Sequence, residues 1–120
     1  MIIPVPAETV VHRIGGAAMD NLRLKRAEQK LVPPGVSVLF GGTAEQAMED
    51  MKSAYPNAAK WAGELAVGTS TVATVRSVGF EVWPCPNSMF ANHARIVHPE
   101  GIPGFTDEYL SHLASVFAES

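Results

Sequence analysis

The chain has 120 residues and a single cysteine, Cys85, with no C-x-x-C and no H-x-x-x-H pair. One thiol makes no internal disulfide, which fits a reducing compartment. Zinc-ligand spacing is missing too, since His12 and His112 stand far from any partner in sequence, so no metal is expected. No apolar run approaches the roughly 20 residues that span a bilayer. The opening "MIIPVPAETVV" lacks a basic n-region and is interrupted by Pro4 and Pro6. It reads as an extended arm over residues 1–9 rather than a leader, and a cytoplasmic protein is expected. Also absent are the phosphate loop G-x-x-x-x-G-K-[ST] and the nucleophile elbow G-x-S-x-G.

What is present is ordinary for one globular domain: 47% hydrophobic and 18% charged residues, with a net charge of -3. That sign argues against a dedicated nucleic-acid binder, whose affinity rests on phosphate contacts. The charge is unevenly spread. Arg13, Arg23, Lys25, Arg26 and Lys30 face only Asp20 and Glu28 between His12 and Val32. Such a segment is either a solvated face or a contact surface for a protein partner or a second copy, with Arg23, Lys25, Arg26 and Lys30 as its cations.

Local patterns give the elements. "VVHRI" (10–14) reads as a strand closing at Gly15-Gly16, and "VSVLF" (36–40) as a second strand. "NLRLKRAEQK" can hold a short helix before Pro33-Pro34-Gly35. Thr43 and Gln46 fit a capping box opening a helix over 43–55, with Met48 and Met51 on its apolar stripe as gap-fillers. A further helix is expected over 58–66, with Trp61, Ala62 and Leu65 aligned. "TSTVATVRSVGFEVW" is read as a helix capped by Ser70 and ended by Gly79, followed by a strand over 80–83. A strand over 93–98 and a final helix over 107–118 complete the chain; Thr106 caps that helix, and Leu110, Leu113, Ala114 and Phe117 form its buried stripe. Four strands not regularly alternated with helices make an α+β single domain over residues 1–120.

"NHARIVHP" (92–99) carries the densest polar chemistry. Strand alternation puts His93 and Arg95 on one face and His98 on the other, so the two histidines cannot clasp one metal. His93 and Arg95, helped by Asn92, form either a hydrogen-bonded strand face or an anion contact beside a cleft. In "FGGTAEQ", Gly41, Gly42 and Thr43 lead into a helix N-terminus, geometry suited either to a tight turn or to an anion. Glu81 alternates with Phe80 and Val82 and reads as a solvent-facing residue rather than a general base.

Two stretches resemble small ADP-ribosyltransferase-like toxins of the RES type: "VVHRIGG" their opening arginine-bearing strand, and "PPGVSVLFGGTAEQAM" their later serine-bearing strand and helix. The resemblance implies that Arg13 holds a phosphate of NAD, Ser37 lines the nicotinamide pocket and His93 orients the ribose. The chain departs from that pattern: no glutamate is clearly placed for the catalytic role, and Ser37 follows Arg13 too closely. "VGFEVWPCPNSMFANHARIVHP" is similar to a pattern in small bacterial proteins and implies a bacterial origin. The leading expectation is therefore a non-catalytic binding module, without a cofactor, for a protein partner, a second copy or a small anion. Its ligand contacts would be Arg13, Gly41, Gly42, Thr43, Asn92, His93 and Arg95. The alternative is an NAD-consuming enzyme using Arg13, Ser37 and His93.

Overall fold

The computed structural model describes residues 5–56 and 66–119. It is an α+β single domain built on one antiparallel sheet. In chain order the elements are β1 (Val10–Ile14), α1 (Met19–Leu22), α2 (Arg26–Gln29), β2 (Gly35–Phe40), α3 (Ala44–Ala54) and β3 (Val67–Thr71). They continue with α4 (Val72–Ser77), β4 (Glu81–Pro84), β5 (His93–Val97), α5 (Asp107–Ser115) and β6 (Ala118–Glu119). A short 3-10 turn at Ile102–Gly104 precedes α5. The strands lie in the order β4-β5-β2-β1-β3-β6. No helix among the described residues is long and apolar enough to cross a membrane.

Alternation along the strands divides the buried residues between two clusters. Val11, Val36, Val38, Val82, Ala94 and Ile96 meet Val72 and Val75 of α4 and Leu110 and Leu113 of α5. On the opposite face Leu39 packs with Phe90 and Ala47, and Ile14, Met51 and Ala54 lean on that second cluster. The capped helix starts follow the sequence signals. Thr43 and Thr106 accept from the N–H groups of Gln46 (3.1 Å) and Tyr109 (3.2 Å). Only half of the expected capping box forms, because the Gln46 amide turns to Asp50 instead. Thr106→Ala is expected to cost about 1 kcal/mol of unfolding free energy, read from the urea midpoint, because a helix-end N–H loses its partner.

Besides one-residue shifts at the ends of β2, α3, β4 and β5, two strands and the bounds of two helices differ from the sequence reading. The helix capped by Ser70 starts one residue later, with Thr71 accepting from Thr74 N–H, and Ser70 itself belongs to β3 and donates to Val116 O at 2.8 Å. β3 is held by five paired positions along β1, a tertiary contact that "VGTST" does not announce. The final helix ends at Ser115 rather than 118, because Ala118 and Glu119 pair with Thr69 and Gly68 as β6. The helix expected over 58–66 falls on residues outside those described, apart from Ala66, which is not helical. Trp83, in β4, is half-buried.

The outer edge of β4 offers no free N–H. Glu81 accepts from the Val82 N–H at 2.9 Å, Pro84 has none, and the Phe80 N–H is taken by Val75 O. An edge so blunted does not template another strand. Glu81 also binds Arg76 at 2.8 Å, which ties the carboxylate to α4 rather than leaving it as a free base.

Candidate functional site

The sheet is interrupted between β1 and β2. Their pairing runs through Val11 opposite Phe40 and His12 opposite Leu39, with the Gly41 N–H on Val10 O at 2.9 Å. The next rung, Ile14 opposite Ser37, does not form. Side chains replace it: Asn21 donates its amide to Ile14 O at 3.2 Å, and Arg13 donates Nη1–H to Ser37 O at 2.8 Å. The Nε–H and Nη2–H of the same guanidinium converge on Asn21 O at 3.0 and 2.7 Å. Arg13 thus straps α1 to β2 where the ladder fails.

This strap is costly to hold. Arg13 is only 7% exposed, and burial pushes its pKa down from the ordinary guanidinium value, while the negative charge of Glu28 acts in the opposite direction. The group stays cationic at any physiological pH. Among the described residues it forms no salt bridge, and its donors meet neutral carbonyl or amide oxygens. A buried cation without a carboxylate is unusual, because desolvated charges are ordinarily paired.

A cavity of about 270 Å³ opens at this break. Arg13, Lys25, Ser37 and His93 supply its polar side, and Ile14, Leu39 and Met51 an apolar wall. His93 reaches it because Leu39 stands opposite His93 in the β2–β5 register, and Ser37 opposite Arg95. Ser37 and His93 are therefore diagonal neighbours on one sheet face, roughly 7–8 Å apart at their backbones, and their side chains share no hydrogen bond.

The histidine is oriented by β4's exit. Its Nδ1 lies 3.0 Å from Cys85 O and 3.2 Å from Cys85 Sγ. A carbonyl only accepts, so Nδ1 carries the proton, an assignment drawn from the bonding network. Nε2 has no hydrogen-bond partner among the described residues, and neither does the Ser37 hydroxyl. No buried side-chain nitrogen or oxygen there is unpaired, so both atoms reach solvent.

Of the candidate catalytic and ligand-binding residues, Arg13, Ser37 and His93 line this one cavity, joined by Lys25 of the basic segment and Met51 of α3. The other candidate ligand contacts do not. Asn92 donates to Phe40 O at 2.9 Å and borders a shallow hollow beside Ser88 and Met89. Arg95 donates to Pro33 O at 2.6 Å and to Cys85 Sγ at 3.3 Å. Thr43 caps α3 and borders a separate, more open depression along that helix. Gly41 and Gly42 take positive φ angles of 81° and 67°. Their carbonyls lie 3.2 Å from Nε2 of His12. His12 is 1% exposed, so it donates from Nε2 and accepts from the Thr69 hydroxyl at 2.9 Å. The glycine turn is thus held from inside by a histidine that the sequence reading did not use.

The basic segment is divided by the fold. Arg23 is paired with Asp107 at 2.6 Å and lies near Asp20 at 3.5 Å, whereas Lys25 stands at the cavity. Asn21 was missed as a site residue, and Lys25 was read only as one cation of the basic segment; their position depends on how the segment after β1 folds back, for which no local signal exists. No group of His, Cys, Asp or Glu side chains among the described residues is arranged to hold a metal ion. Compared with protein-family models, curated proteins and solved structures, the chain matches none.

Proposed function

We propose that the chain binds a small oxoanion, a phosphate or carboxylate group carried by a small molecule, in the cavity at the β1–β2 break. The supporting observation is Arg13: a cation 7% exposed, at the cavity wall, with no carboxylate partner among the described residues. An anion placed there recovers the Coulomb energy that burial withheld, and Lys25 adds a second positive charge at the same cavity. Ile14, Leu39 and Met51 offer an apolar surface to the rest of the ligand.

A second reading, an NAD-consuming enzyme, is favoured by the meeting of Arg13, Ser37 and His93 at one cavity. Two features favour the simpler anion instead. No glutamate lines the cavity among the described residues, and its 270 Å³ lies just below the roughly 300–1,000 Å³ of pockets for drug-sized ligands.

Thermal melts with inorganic phosphate, succinate and NAD separate these readings. A ligand at 100 times its dissociation constant adds about 2.7 kcal/mol, or several degrees for a domain of this size. Phosphate or succinate is expected to raise the melting temperature of the wild-type chain, and the rise is expected to shrink in Lys25→Ala. A rise with NAD alone would favour the enzyme. Unchanged melts in all three at tens of millimolar would overturn both.

A further inference from the structure

We infer that Ser37 and His93 form a nucleophile–base pair that hydrolyses small carboxylic esters bearing an anionic group; this rests on the proposed anion pocket. Three observations converge. The Ser37 hydroxyl and His93 Nε2 share one face of β2–β5 in diagonal register, both line the cavity, and neither has a partner among the described residues. Nδ1–H is fixed on Cys85 O at 3.0 Å, which sets the tautomer with the Nε2 lone pair free. This is the role an acidic third member plays in a catalytic triad, here taken by a backbone carbonyl.

The break in the sheet adds a third component. Gly41 N–H bonds Val10 O across to β1, while Phe40 N–H bonds Asn92 O on the other side. Alternation therefore turns the backbone of Ser37 toward β1, where its missing rung leaves the N–H facing the opening. Its carbonyl on that side is already taken by Arg13. The Ser37 N–H and the buried guanidinium thus lie where negative charge develops on an acyl oxygen.

In the first step Ser37 Oγ attacks the ester carbonyl and its proton passes to His93 Nε2. The Oγ–C bond forms, the ester C–O bond breaks, and the alkoxide leaves with the proton from Nε2. Water then attacks the acyl-serine, giving its proton to Nε2, and the carboxylic acid departs as Ser37 Oγ recovers that proton. The anionic end of the substrate rests against Lys25 and Arg13. Water is the only co-reactant.

The test uses the full chain with a small alkyl fluorophosphonate, which transfers phosphorus to an activated serine and releases fluoride. Mass spectrometry is expected to place one adduct on the Ser37 peptide, formed more slowly when phosphate is present. Labelling is expected to vanish in Ser37→Ala and to slow at least 100-fold in His93→Gln, given the 10²–10⁴ contributed by a positioned base. Hydrolysis of mono-p-nitrophenyl succinate is expected to follow the same order. The phosphate-induced melting shift of the wild-type chain is read alongside, which separates this inference from the pocket itself. An intact shift with no adduct on Ser37 overturns the inference alone, as does an adduct forming equally fast in a folded His93→Gln. Loss of both shift and adduct in the wild-type chain overturns the pocket as well.

Discussion

Arg13→Lys is expected to lower the stability of the chain by about 2–3 kcal/mol and to abolish the phosphate-induced melting shift. The planar guanidinium spans Asn21 O and Ser37 O at once, and a lysine ammonium on a flexible stem does not reproduce that fork. At least one buried carbonyl then loses a charge-assisted donor, worth about 1.5–3 kcal/mol. For a domain of this size that corresponds to a fall of roughly 10 °C in melting temperature. Urea midpoints and phosphate titrations read the two roles separately. Lost stability with unchanged affinity would make Arg13 a strap only; lost affinity at wild-type stability would make it a ligand contact only.

Gly35→Ala is expected to be the more damaging change to the fold, by about 3 kcal/mol or more. A Cβ at Gly35 would lie 2.6 Å from Ile96 O, 2.8 Å from a Val97 methyl and 3.1 Å from Arg95 Cβ. The first of these is backbone and cannot swing aside, so β2 and β5 must separate where Gly35 pairs with Val97. Overpacking of this kind typically costs 1–3 kcal/mol, and the strained ladder adds to it. Because β5 carries His93, any variant that still folds is expected to lose the response to phosphate as well. A melting temperature within a degree or two of the wild type would contradict the close approach of these strands.

Much of the frame was legible in the chain because its signals are local. "VVHRI", "VSVLF" and "HARIVH" are β-branched runs bounded by Gly or Pro, and strands formed at Val10–Ile14, Gly35–Phe40 and His93–Val97. Thr43 and Thr106 announced helix starts through hydroxyls that accept from N–H groups three residues on. Alternation alone placed His93 and Arg95 on one side of β5, and the register with Ser37 and Leu39 agrees. β3 escaped notice because Thr71 both ends that strand and caps α4, so the helical signal of the following residues masked it. β6 escaped because two residues, Ala118 and Glu119, carry no pattern of their own and are extended only by pairing with β3.

The candidate site was legible as residue types but not as a place. The sequence by itself determined the α+β class, the strands bearing Arg13, Ser37 and His93, and the face of β5 to which His93 belongs, since these depend on neighbours a few positions away. Only the tertiary structure decided that the rung between Ile14 and Ser37 is missing and that Arg13, 24 residues from Ser37, fills it. It also decided that Asn21 and Lys25 fold back to the same opening, while Gly41, Gly42, Thr43, Asn92 and Arg95 bond elsewhere. The physical reason is the origin of the cavity. It arises where two strands diverge and a buried cation takes the place of ladder hydrogen bonds, and that balance of desolvation against carbonyl contacts exists only once the distant segments have met.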